Sequence, residues 1–147
     1  MIKCLCRYED DTKYEYAYEI NDFHYNLQSG TIPNGKKGEY IELPCTFDIE
    51  TSTFFNKEKS EQEGKEIYEA FMYQWQICIE GDVVFGRTWK QLITFLDRII
   101  DAYKLNKNKK LVIYVHNLSY EFHFMYRFLK LTNVFCTDVH KVLRIYT

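Results

Sequence analysis

Leu111-Val112-Ile113-Tyr114-Val115-His116-Asn117-Leu118-Ser119-Tyr120-Glu121-Phe122-His123-Phe124 opens as a near-continuous apolar run, breaks into polar residues, and resumes with apolar residues at helical spacing. A run of this kind suits a central strand covered on both faces. Ser119 is placed to cap a following helix to about Leu131, with Phe122, Met125, Tyr126 and Leu129 inward. A strand that feeds a helix in this way delivers Asn117 and Glu121 to the strand's carboxyl end, where sites in open α/β sheets form.

Working back from that stretch, a basic loop from Asn106 to Lys110 ends an earlier helix. That helix is capped by Thr88 and carries Trp89, Leu92, Ile93, Leu96, Ile99, Ile100 and Tyr103 as its inward stripe. A hairpin precedes it, with Tyr68 to Glu80 and Val83 to Phe85 as strands and Gly81-Asp82 as the turn. The charged run 56–66, NKEKSEQEGKE, has no apolar periodicity and reads as a solvated loop. Cys45-Thr46-Phe47-Asp48-Ile49-Glu50 is a short strand with both carboxylates on one face. Before it, Tyr14 to Ile20 and Glu39 to Leu43 alternate with period two, and Asn34-Gly35 supplies a tight turn. After the second helix, Val134 to Cys136 and Val142 to Tyr146 read as short strands. The order predicts an α/β protein, a mixed sheet flanked by helices, with an N-terminal β-rich segment over residues 1–44 packed on a core domain over 45–147.

Composition narrows the function classes. With 147 residues, 46% of them hydrophobic, the chain fits one core. Nineteen basic against 21 acidic side chains give a net charge of −2, so any nucleic-acid contact must be local. Cys4, Cys6, Cys45, Cys78 and Cys136 have neither CxxC spacing nor a histidine partner at ligand distance, which predicts reduced thiols. The N-terminus lacks a signal-peptide pattern, and no stretch approaches the roughly 20 apolar residues of a membrane span. The expectation is a cytoplasmic protein.

Asp48 and Glu50 stand about 7 Å apart along their strand. Such a pair suits two divalent cations about 4 Å apart, which activate a water and stabilise the leaving oxygen in phosphodiester hydrolysis. Among 21 acidic residues a D-x-E match is also expected by chance, and alone it describes a solvated edge strand. The two segments together, Asp48-Ile49-Glu50-Thr51 and Tyr114 to Phe124, resemble the first and second exonuclease motifs of protein-primed, phage-type B-family DNA polymerases. Those motifs are a D-x-E-T and, on a later strand-to-helix junction, a Y-x-H-N-L-x-[FY]-D-x-x-F.

The resemblance covers residues 45–147 and implies a ribonuclease H-like sheet that removes 3′ nucleotides from single-stranded DNA. It makes Asp48, Glu50 and Glu121 catalytic ligands for Mg²⁺ or Mn²⁺. It places Thr51, Tyr114, His116, Asn117, Tyr120 and Phe124 along the path of the DNA, where aromatic faces stack bases without regard to sequence. Tyr114 and Phe124 also fit core positions, and His116 fits a hydrogen-bonded structural role. Glu121 departs from the family's aspartate; its extra methylene moves the carboxylate by about 1.5 Å, and a misplacement of that order costs roughly a hundredfold in rate. The third motif, a tyrosine followed four residues later by an aspartate, has no counterpart after Glu121, which implies a domain truncated before it. Two expectations follow: a 3′ end-binding domain with weak or lost hydrolysis, or a non-catalytic phage or mobile-element inhibitor of a host defence nuclease such as a CRISPR effector. In the second, Glu9-Asp10-Asp11 and Glu58 to Glu66 would meet a basic channel.

Overall fold

The computed structural model describes residues 17–25, 28–35, 38–130, 133–136 and 142–146. Among them lie ten strands and three helices: β1 (Ala17–Glu19), β2 (Gly30–Asn34), β3 (Gly38–Glu42), β4 (Cys45–Phe55), α1 (Lys57–Glu63), β5 (Tyr68–Ile79), β6 (Asp82–Gly86), α2 (Trp89–Tyr103), β7 (Lys109–Lys110), β8 (Tyr114–Val115), α3 (Leu118–Met125), β9 (Asn133–Cys136) and β10 (Val142–Tyr146). The fold is mixed α/β, with mixed sheets flanked by helices. The expected strand over Tyr14 to Ile20 is described only from Ala17, so Tyr14 and Tyr16 lie outside the described residues, as do Cys4, Cys6 and the acidic run Glu9 to Asp11.

The main sheet has the order β1-β6-β5-β4-β8. β4 and β6 are both antiparallel to β5, while β1 is parallel to β6 and β8 is parallel to β4. Thus β1, β4, β6 and β8 run the same way and share one carboxyl end. Alternation along β4 buries Cys45, Phe47 and Ile49 and turns Thr46, Asp48 and Glu50 to the other face. Trp75, Ile77 and Ile79 on β5 and Val84 on β6 continue the buried face. Burial pushes the Cys45 thiol up to about 12, with Cys78 adding to the effect, so this sulfur stays protonated; neither cysteine is in a disulfide.

α2 covers that face. Its cap is the expected one: Gln91 N–H donates to Thr88 Oγ1 at 3.2 Å, and Thr88 N–H donates to Gln91 Oε1 at 3.1 Å. Its buried stripe is Leu92, Phe95, Ile99 and Tyr103. The stripe is therefore rotated from the expected one. Phe95 is at its centre, packed on Trp75, Phe23 and Tyr25, while Ile100 is exposed and Ile93 and Leu96 sit at the margin. Ile20, Phe23, Ile41 and Leu43 join the same core, so the residues before β4 pack into it directly. β2 and β3 form a hairpin through Gly35, whose φ of 71° suits glycine, and β3 pairs in parallel with β7.

Four expectations are corrected. The apolar run Leu111 to Val115 is not a central strand: only Tyr114 and Val115 pair, at the edge of the sheet beside Thr46 and Phe47. Leu111 and Ile113 instead pack against the core margin without a ladder. Residues 57–63 form α1 rather than a loop, because Asn56 caps it through Lys59 N–H at 3.0 Å and Gly64 closes it at φ 66°. The turn of the β5–β6 hairpin is Glu80-Gly81, both at positive φ, rather than Gly81-Asp82. The cap of α3 is Asn117 rather than Ser119, and the helix ends at Met125 with Tyr126 exposed instead of inward. Just beyond, Phe128 stacks on Trp89 at 5.0 Å and 10°. The two short strands expected in the tail are present as β9 and β10, paired antiparallel.

Candidate functional site: an acidic pair between a strand and a helix

β4 presents Asp48 and Glu50 on the face away from α2. β8, parallel to β4 and in register at Thr46–Tyr114 and Phe47–Val115, carries the chain to the same carboxyl end. There it turns through His116 and Asn117 into α3. The Asn117 carbonyl accepts from the N–H groups of Tyr120 and Glu121, at 2.9 and 3.1 Å, which fixes the first turn of the helix. Glu121 on that turn is 2% exposed, the one buried charged residue among the described residues, and it meets Asp48.

The chemistry of this contact follows from desolvation. Burial disfavours the charged form of Glu121, and the neighbouring Asp48 both accepts its proton in a hydrogen bond and repels a second negative charge. The carboxyl is pushed up to about 8, so at neutral pH Glu121 keeps its proton. Asp48 is steadied from the other side by Gln76, its cross-strand neighbour on β5, whose Nε2 donates to Oδ2 at 3.3 Å. The second Glu121 oxygen, Oε2, is buried without a hydrogen-bond partner. A buried acceptor left in that condition ordinarily costs about 1 to 3 kcal/mol.

The expected site residues are brought together unevenly. Asp48 and Glu121 touch. Thr51 Oγ1 and the Tyr120 hydroxyl hydrogen-bond at 2.6 Å, which ties β4 to α3 one step further along, and the Phe124 ring packs against Tyr120 at 5.2 Å. Phe124 also packs against the core margin, which fits the core position open to it. Tyr114 is 67% exposed, which removes the core alternative for it, and His116 and Asn117 are exposed beside it. Glu50 follows Asp48 on the same face of β4 and is half-buried. Among the described residues no group of three or more His, Cys, Asp or Glu side chains is gathered as a metal centre would need. Gln76 was not legible as a site residue, because only the β4–β5 register places it opposite Asp48.

Comparison with family models, with curated proteins and with solved structures gives no match to this chain.

Proposed function

We propose that the chain is an exonuclease-like domain that binds the 3′ end of single-stranded DNA over the Asp48–Glu121 pair, with two-metal hydrolysis weak or lost. The observation that carries this reading is the meeting of Asp48 and Glu121 from two segments 73 positions apart, with an unpartnered oxygen at the contact. The mixed sheet, with the acidic strand in its interior and a crossover helix leading to a parallel neighbour, supports the ribonuclease H-like assignment.

The residues present fit a hard cation. Mg²⁺ prefers oxygen ligands and is commonly held by one or two carboxylates together with substrate phosphates. Asp48 and Glu121 would hold it, and the orphaned Oε2 is an oxygen without another role. Bound there, Mg²⁺ or Mn²⁺ supplies charge to the leaving oxygen and acidity to a water. The residues of the chain do the rest. Gln76 fixes the orientation of Asp48, and the Thr51–Tyr120 bridge holds strand and helix at the spacing a terminal nucleotide enters. Exposed Tyr114 and Tyr120 offer ring faces to bases. Hydrolysis is weak because Glu121 must release a proton before a cation can take its place.

The test is incubation of the protein with 3′-labelled single-stranded DNA and Mn²⁺, beside Asp48→Ala. Slow loss of the label that the substitution abolishes is the expected result. Loss of label that Asp48→Ala leaves unchanged, or DNA that is neither cut nor bound at high protein concentration, would end the reading. Tyr120→Ala is expected to weaken single-stranded DNA binding by about 1 to 3 kcal/mol, measured by fluorescence anisotropy. Equal affinity of the variant and the parent protein would refute the stacking role.

A second reading draws on α1, where Glu58, Glu61 and Glu63, followed by Glu66, are all exposed. An acidic projection of this kind complements a basic nucleic-acid channel, as an inhibitor of a host defence nuclease would. DNA that stays intact and unbound, together with salt-sensitive binding to such a nuclease, would favour it.

A further inference from the structure

β1 and β6 are parallel neighbours, in register at Ala17–Val83, Tyr18–Val84 and Glu19–Phe85. Beyond Glu19 and Phe85 the two strands part, and a cavity of about 320 Å³ lies between their carboxyl ends and the first turns of α2. That size accommodates a small ligand, and the carboxyl ends of parallel strands are where open α/β sheets form their sites. The cavity is on the side of the sheet that α2 covers, whereas Asp48 and its contact with Glu121 lie on the other face.

The walls of this cavity differ in charge from the chain around them. Arg87, Lys90 and Arg98 line it against one carboxylate, Glu19, although the chain as a whole carries a net charge of −2. Lys90, Thr94 and Arg98 recur at every fourth position of α2, so they form one row of the helix along the cavity, about 12 Å from end to end. None of the three cations makes an ion pair among the described residues. Arg98 is held in place: its Nη1 donates to the Ile20 carbonyl at 3.1 Å and to Asn21 Oδ1 at 3.0 Å, which leaves Nε and Nη2 to a ligand. The first turn of α2 is capped by Thr88 and Gln91, so side chains rather than bare helix N–H groups supply the positive charge. Cations gathered without carboxylate partners repel one another, and an anion between them relieves that repulsion.

We propose that this cavity binds a small phosphate ester of nucleoside monophosphate size, with the phosphate on Arg87, Lys90 and Arg98 and a hydroxyl of the ligand donating to Glu19. Glu19 decides between a bare anion and an ester, because a carboxylate repels inorganic phosphate but accepts hydrogen bonds from the hydroxyls of a sugar. Ile20 and Phe85 supply an apolar wall for the organic part of the ligand. The site is independent of the exonuclease-like reading and survives its failure.

The experiment titrates adenosine 5′-monophosphate, adenosine and inorganic phosphate into the full chain by isothermal titration calorimetry, with a chelator present so that no cation links a ligand to the acidic pair. The monophosphate is expected to bind at one site per chain and to weaken as salt rises, adenosine not to bind, and inorganic phosphate to bind more weakly than the ester. Arg87→Gln and Lys90→Gln, both at exposed positions, should each weaken the monophosphate by roughly tenfold or more, with thermal melts to establish that they fold. Glu19→Gln should weaken the monophosphate while strengthening inorganic phosphate, a pair of opposite signs that damage to the fold does not produce. Asp48→Ala should bind the monophosphate as the parent does. The proposal is overturned if the parent shows no saturable binding of the monophosphate, if adenosine or inorganic phosphate binds as tightly, or if the cation variants match the parent. Strengthening of both ligands by Glu19→Gln would overturn the ester assignment, and loss of binding in Asp48→Ala would move the ligand to the acidic pair and overturn the cavity as its site.

Discussion

Glu121→Gln is expected to remove most of the pH dependence of stability between about pH 4.5 and 8, and to make the protein more stable than its parent above pH 8. The ordinary glutamate value is 4.5 and the folded value is about 8, raised first by burial and then by Asp48. Between those values the native state holds a proton that the unfolded state has released. Stability therefore falls as pH rises through this window, and levels off above it. At about 1.4 kcal/mol per pH unit the whole window corresponds to a loss on the order of 5 kcal/mol. Glutamine keeps the shape and still donates to Asp48, yet has no proton to lose. At pH 9, with a chelator present, the variant should be more stable by about 3 to 5 kcal/mol in urea unfolding, and at pH 4.5 nearly equal to the parent. Parallel stability curves for the two proteins would show that Glu121 is not held neutral by the fold.

The same contact marks the boundary of what the sequence could reveal. The sequence pattern located the first half of β4, both strands of the β5–β6 hairpin and α2, and Thr88 announced the start of α2, while β4 runs on to Phe55 without an alternation of burial to reveal it. Leu111 to Val115 misled because an apolar run reports burial and not hydrogen bonding; Leu111 and Ile113 are half-buried without a ladder. α1 had no stripe to detect, having no buried residue, though Asn56 and Gly64 were both in place as caps. For the site, the motifs named Asp48 and Glu121, and β8 brings them together as the strand-to-helix reading requires. Burial of Glu121 and the role of Gln76 depend on register and on how α3 lies against β4. No local pattern encodes those.

Gly86→Ala is expected to destabilise the protein by about 3 kcal/mol, a fall of roughly 6 to 12 °C in Tm for a chain of this size. Gly86 stands directly across from Trp75 in the β5–β6 register. A Cβ there would meet the indole at Cζ2, at Cε2 (2.6 Å) and at Nε1 (2.8 Å). Glycine is needed at this position for space, since its φ is not among the positive ones. Trp75 is wholly buried against Phe95, and its Nε1 donates to the Thr88 carbonyl at 3.0 Å, so the ring cannot yield without opening the core and disturbing the cap of α2. The nearest clashing atom, Cζ2, belongs to the benzo ring of the indole, which reaches further than a phenylalanine ring does. Trp75→Phe alone should cost about 1 to 3 kcal/mol for the volume and hydrogen bond removed. In that background Gly86→Ala should cost far less than it does alone, a coupling of about 1 to 2 kcal/mol in a double-mutant cycle by denaturant unfolding. Strict additivity would mean that the indole is not what excludes a side chain at position 86.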